Sequence, residues 1–236
     1  MSDQLIENNL ADSVKVVLMR TTHPGNIGAV ARAMKNMGLH QLCLVNPSDC
    51  TQKTSLGEAS GGHATVNDKD FDKQVSPKSS HEAVRRAAGA EDLLRNAVVC
   101  STVDEALEGC HMVIGASARS RKMVWPLMNP RDCASLVIES VFTENRSNAK
   151  KVAILFGQEA SGLTNEELQR CHYHVNIPAV SEFSSLNLAM AVQLICYEIR
   201  MAMLLSESLA LPGDCTSSIL SAEDAGWDEQ IAPVEE

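Results

Sequence analysis

Short apolar runs, almost unbroken by polar residues, recur along this chain of 236 residues: VKVVLM (14–19), QLCLV (41–45), AVVC (97–100), HMVIGAS (111–117), VAILFG (152–157) and the more polar HYHVNI (172–177). A strand with one wet face would alternate apolar and polar positions, whereas a run that is apolar throughout needs cover on both faces. Helical spacing fills the intervals. In NIGAVARAMKNMGL, Ile27, Val30, Ala31, Met34 and Met37 share a helical face and Gly38 stands as terminator. HEAVRRAAGAEDLLRN reads as one or two helices broken at Gly89. In TVDEALEGC, Thr102 and Glu105 have capping-box spacing, and in TNEELQRC Thr164 is the N-cap with Glu167 at N3. The expected fold class is therefore α/β, a mostly parallel sheet flanked by helices.

The last ordered element is expected to start near Ser184 or Ser185 and run through LNLAMAVQLICYEIRMAMLLSE, far too long for a strand. Its apolar positions wrap most of the circumference, as in a helix shared with a second subunit. Between Asp49 and Ser80, Gly, Ser, Lys and Asp predominate without period, which reads as a mobile surface loop.

The formal charge of −10 is unevenly spread. Residues 212–236 hold seven acids and no Lys or Arg, leaving 23 acids against 20 bases over residues 1–211. The tail reads as an acidic linker, and the remainder is near neutral. Global acidity weighs against a nucleic-acid partner, but Arg119, Arg121, Lys122 and Arg131 cluster, as do Arg20, Arg32 and Lys35. No apolar run approaches the roughly 20 residues that span a bilayer. The start, MSDQLIENNLADS, is acidic where a secretory signal would be basic and then apolar. A cytoplasmic protein without a membrane partner is expected.

The eight cysteines form no CxxC pair, and six sit in or beside apolar stretches, so they read as small core residues. Only Cys171-His172-Tyr173-His174 approaches a metal set. Strand alternation would put Cys171 and Tyr173 on one face and both histidines on the other, so no metal is expected.

Three stretches resist explanation as packing. HPGNIGAVARAMKNMG carries Asn26 at a strand-to-helix loop and Arg32 in an otherwise apolar helix, where a guanidinium is costly unless it meets an anion. FGQEASGLTNEEL brackets Glu159 between Gly157 and Gly162 at the carboxyl end of a strand, where α/β sheets bind ligands. IPAVSEFSSLNLAMA crowds Ser184, Ser185 and Asn187 at a helix start, more than one N-cap requires. Neither G-x-G-x-x-G nor a Walker pattern occurs, which removes the support for dinucleotide and NTPase readings.

Together and in this order, NIGAVARAMKNMG, LFGQEASGLTNEEL and IPAVSEFSSLNLAMA resemble the three motifs of the SpoU/TrmH branch of the SPOUT RNA methyltransferases. SARSRKMVWPLMNPRDC, TNEELQRCHYHV and SSLNLAMAVQ look like its TrmJ-type subgroup. The resemblance covers residues 13–205, leaving out 49–80 as an insertion. It implies a C-terminal trefoil knot, an obligate homodimer, S-adenosyl-L-methionine as methyl donor, and tRNA as substrate, methylated at the ribose 2′-hydroxyl of nucleotide 32 in the anticodon loop. It further implies that residues 1–211 are the catalytic domain and 212–236 an acidic linker, the family's C-terminal helical domain being absent.

By the same resemblance, the cofactor loops correspond to Ala116, Ser117 and Ala118, to Gly157, and to Ile177, Ser184, Ser185 and Leu186. Asn26, Arg32, Glu159, Ser185 and Asn187 match positions around the reacting ribose, while Arg20, Arg119, Arg121 and Lys122 would meet RNA. Family accounts make the arginine matching Arg32 an activator of the hydroxyl, sometimes as base. An arginine stays protonated, so holding a phosphate or the developing alkoxide suits Arg32 better. Ribosomal RNA methylation and RNA binding without turnover are the competing readings.

Overall fold

The structure is a computed structural model, and it describes residues 9–48, 80–118, 126–142 and 150–210, with side chains to 206. The elements run β1 (Val14–Met19), α1 (Pro24–Asn36), β2 (Gln41–Val45), α2 (His81–Ala87), α3 (Glu91–Asn96), β3 (Val98–Cys100), α4 (Val103–Leu107), β4 (Cys110–Ala116), β5 (Leu127–Met128), α5 (Pro130–Phe142), β6 (Lys151–Phe156), α6 (Asn165–Leu168), β7 (Tyr173–Val175), a 3-10 turn (Ser181–Phe183) and α7 (Leu188–Ala210). The seven strands form one sheet in the order β3-β2-β1-β6-β4-β7-β5, parallel at every pairing.

The unbroken apolar runs follow from cover on both faces. Val14, Val16 and Leu18 of β1, with Val152, Ile154 and Phe156 of β6, pack into a core shared with α1, α2, α3, α5 and α7. Val17, Met19, Ala153 and Leu155 point the other way, into a smaller core with Ala106, Leu163, Leu168 and Cys171. Register brings three strand ends level: Leu18 pairs with Phe156, and Phe156 with Ala116. The carboxyl ends of β1, β6 and β4 thus open side by side where the chain order of the sheet switches direction, the usual ligand crevice of such sheets.

Helix α1 starts two residues earlier than Asn26, at Pro24, because His23 caps it: its Nδ1 accepts from Gly25 N at 3.2 Å. Gly38 (φ 76°) ends it as expected. Thr164 and Glu167 form the full capping box of α6. At α4 Thr102 caps Glu105 N, but the Glu105 carboxylate accepts from Ser101 N at 2.9 Å. Helix α7 begins at Leu188, later than expected, with Asn187 as its cap: Oδ1 accepts from Ala189 N at 2.9 Å.

Helix α7 also overturns the expectation about apolar length. Leu188–Ser206 has a mean hydropathy of 1.6 over 19 residues, enough by length and composition alone to cross a bilayer. Glu198 within it pairs with Arg131 of α5 at 3.5 Å, and Val192, Ile195, Cys196, Ile199 and Met203 are buried. It is a core helix with a second apolar side.

The pattern expected at Cys171–His174 also changes, because β7 starts only at Tyr173. Cys171 packs in the smaller core and Tyr173 against the larger one, while His172 Nδ1 accepts from Val113 N at 2.9 Å. Among the described residues no three His, Cys, Asp or Glu side chains gather in a metal-holding group. Of the loop expected over Asp49–Ser80 only Ser80 is described, and it is the N-cap of α2, its Oγ accepting from Ala83 N at 3.2 Å; residues 49–79 and the expected tail, 212–236, lie outside the described residues.

Candidate active site

A cavity of about 230 Å³ lies at the aligned carboxyl ends of β4 and β6. Ala116, Ser117 and Ala118 bring β4 to it, Phe156 and Gly157 through Leu163 bring β6, and Ile177, Ser184, Ser185 and Leu186 bring the segment after β7. All eight residues expected to hold a cofactor are in its wall, with Glu159 beside them.

Backbone contacts shape each loop. The 157–163 loop folds back on itself, Gly162 N donating to Gln158 O at 2.8 Å with Gly162 at φ 70°. A Cβ on Gly157 would stand 2.0 Å from the Gly162 carbonyl carbon and 2.1 Å from Leu163 N, so only glycine fits. Ser117 N donates to Val175 O at 3.0 Å, and Asn176 Nδ2 to Ser117 O at 2.8 Å, tying the β4 loop to the end of β7.

One carboxylate gathers the three motif stretches. Glu159 Oε2 accepts from the backbone N and the hydroxyl of Thr22, both at 3.1 Å; Oε1 accepts from His23 N at 3.3 Å and from Asn26 Nδ2 at 3.0 Å. Asn26 Oδ1 in turn accepts from Asn187 Nδ2 at 3.1 Å, and Asn187 caps α7. Burial alone would raise the Glu159 carboxyl, but the bonds from Asn26 and the backbone N–H groups hold it below the usual glutamate range. Glu159 is thus an ionised, donor-saturated clamp and a poor proton acceptor.

Hydrogen bonds therefore bring together Asn26, Glu159 and Asn187; of these only Glu159 lines the cavity, which it shares with Ser185. The structure does not bring Arg32 to the cavity: the side chain is exposed on α1, with no partner among the described residues. Arg20 sits at φ 48° with both terminal guanidinium nitrogens donating to Glu167, Nη1 to Oε1 and Nη2 to Oε2 at 3.2 Å, and Glu167 is 5% exposed. That guanidinium already has a carboxylate. Arg119, Arg121 and Lys122 lie outside the described residues. Sequence reasoning missed Thr22, His23, Gln158 and Leu188. The first two donate backbone N–H groups, which no residue type announces, and Thr22 adds its hydroxyl.

A family model described as the SpoU rRNA Methylase family matches residues 13–76 and 71–197. The chain belongs to this family. Among relatives of this SpoU family member, TrmJ of Pectobacterium atrosepticum, a tRNA (cytidine/uridine-2′-O-)-methyltransferase, is 46% identical over 193 residues, 82% of this chain and 66% of its own length. TrmJ of Pseudomonas aeruginosa, a tRNA (cytidine/uridine/adenosine-2′-O-)-methyltransferase, is 46% identical over 198 residues, 84% of this chain and 64% of its own. The chain thus spans 64–66% of the length of these two relatives. Solved TrmJ from Z. mobilis ZM4 superposes with a TM-score of 0.61 at 33% identity, covering 79% of this chain and 67% of that one. AviRb from Streptomyces viridochromogenes, solved with AdoMet, shares the fold (TM-score 0.54, 22% identity, 84% of this chain and 62% of that one).

The SpoU cavity also fits a sulfonium donor by its chemistry. Among the described residues no Lys or Arg is in its wall, one ionised carboxylate is, and Phe156, Leu163, Ile177 and Leu188 supply apolar surface beside three loops. A cationic, partly aromatic ligand suits that lining.

Proposed function

We propose that this SpoU family chain transfers a methyl group from S-adenosyl-L-methionine to the ribose 2′-hydroxyl of nucleotide 32 in the tRNA anticodon loop. The carrying observation is the chain of hydrogen bonds Glu159–Asn26–Asn187, which ties three separate stretches together beside one cavity, with Glu159 in its wall. The names of the TrmJ relatives favour tRNA over the ribosomal RNA of the family's title.

The donor, when bound by Ala116–Ala118, Gly157, Ile177 and Ser184–Leu186, supplies an already activated methyl group. What remains for the protein is alignment of the attacking oxygen and stabilisation of its growing charge. Asn26, Glu159 and Asn187 fix the relative position of the loops, and Ser185 orients the ribose. Arg32, unpaired and exposed but outside the wall of its own subunit's cavity, faces the donor held by the second copy of a homodimer and there holds a phosphate or the developing alkoxide, with the proton leaving to phosphate or water. Arg119, Arg121 and Lys122 meet RNA phosphates.

The working unit in this reading is a homodimer in the cytoplasm. Met190 (63% exposed), Leu194, Tyr197 and Leu205 form a second apolar stripe on α7 at helical spacing, the kind of face a second copy covers. The same reading takes residues 1–211 as the catalytic domain and carries the family's trefoil knot. The test is methyl transfer to a tRNA pool and to ribosomal RNA fragments, with sedimentation of the wild type and of Leu194→Glu. Transfer confined to ribosomal RNA would move the substrate, and a monomeric, fully active wild type would remove the dimer.

A further inference from the structure

Pro178 to Phe183 is a six-residue stretch in which every residue is exposed, yet its neighbours on either side, Ile177 and Ser184, both line the cavity. The segment therefore leaves the cavity wall and returns to it, which places it on the rim. Phe183 is 79% exposed and Val180 66%, and a bond from Phe183 N to Val180 O (3.1 Å) pins the two in one turn. Aromatics are only 3% of this chain, and the other described phenylalanines are inside: Phe156 is 2% exposed and Phe142 packs against the core. A bare aromatic ring, held by this turn next to Ser184 and Ser185, offers a flat apolar face at the edge of the cavity.

We infer that Phe183, backed by Val180, is a stacking platform for the base of the nucleotide whose ribose enters the cavity; this rests on the proposed RNA methylation. Bases of single-stranded loops can be splayed out of their stack, which lets the ribose reach a recessed donor, and an aromatic side chain then replaces the lost stacking partner. Stacking needs no hydrogen-bond code, so the platform tolerates more than one base. Phe183 is a positioning residue: it sets where the ribose lies and touches no reacting atom.

The test uses the full chain and a stem-loop RNA corresponding to a tRNA anticodon arm. Phe183→Ala should raise KM for that RNA by about tenfold, as expected for one lost stacking contact, with a smaller change in kcat and unchanged affinity for S-adenosylmethionine. Phe183→Tyr should restore KM. Independently of turnover, the added indole emission of Phe183→Trp should be quenched by the stem-loop and not by a plain duplex. Wild-type KM in Phe183→Ala together with silent emission in Phe183→Trp would overturn the platform while leaving the methylation reading intact. Altered sedimentation of Phe183→Ala would also overturn it, assigning the ring to a subunit contact. Quenching by the stem-loop without methyl transfer by the wild type would sustain the platform and sink the methylation reading.

Discussion

Asn26 Nδ2 donates to Glu159 Oε1 across 3.0 Å, joining a helix start to a glycine loop 133 residues further along the chain. The ionised carboxylate is worth more to this arrangement than an amide, since it accepts from three further donors.

Glu159→Gln should therefore lower stability at neutral pH by about 1 kcal/mol, a charged hydrogen-bond contribution discounted for partial exposure. The folded carboxyl lies below its ordinary value, so its contribution is complete above the unfolded value and fades as pH falls through the folded one. Chemical denaturation of both proteins at neutral pH and below pH 4.5, the ordinary glutamate value, should show the gap closing with acid. A gap that widened would mean that Glu159 is protonated in the fold.

Gly157→Ala should abolish donor binding while the protein stays folded, because the new methyl meets loop backbone that can only move by opening the cavity. Calorimetry with S-adenosylmethionine checks this. Wild-type affinity would show that the loop relaxes freely.

Arg32→Ala should lose methyl transfer by about a hundredfold or more, the scale of removing one oxyanion-stabilising donor, with donor affinity and stability unchanged, since the side chain is exposed and unpaired. Turnover near wild type would return Arg32 to a solvated surface position.

Arg20 and the Arg119, Arg121, Lys122 cluster should separate. Arg20→Ala strands the buried Glu167 carboxylate and should cost about 2–3 kcal/mol of stability, below the range for fully buried pairs because Arg20 is partly exposed. Replacing the other three should leave stability alone and flatten the salt dependence of tRNA binding by about one unit of slope per lost phosphate contact. Thermal melts and filter binding at several salt concentrations distinguish the two behaviours. Unchanged stability in Arg20→Ala would free that side chain for RNA.

Burial pushes the thiols of Cys43, Cys133, Cys171 and Cys196 up to about 12, whereas Cys110 is only partly buried. Iodoacetamide on the native protein should label Cys110 well before those four, by peptide mass mapping. Early labelling of Cys196 would mean that α7 opens readily.

The sheet was legible because β1, β2, β4 and β6 are apolar on both faces, a pattern that only two-sided cover explains. The cavity residues were legible through the family resemblance. Their gathering was not, because the donors on Glu159 include the backbone N–H groups of Thr22 and His23, which look alike in every residue. Helix α5 went unread although Asn129-Pro130 marks its start, with Asn129 Oδ1 accepting from Asp132 N at 2.9 Å. Ser184 and Ser185 suggested a helix start. Asn187 holds that position instead, which leaves the serines to line the cavity. Chain threading leaves no mark on period or spacing, so the knot rests on the family alone.

The most direct measurement is incubation of the full chain with S-adenosylmethionine carrying a labelled methyl group and a tRNA pool, followed by mapping of the labelled nucleotide. Label on the ribose of nucleotide 32, lost in Arg32→Ala, is the expected result. Label on a base, on another ribose, or on no tRNA at all would contradict the assignment.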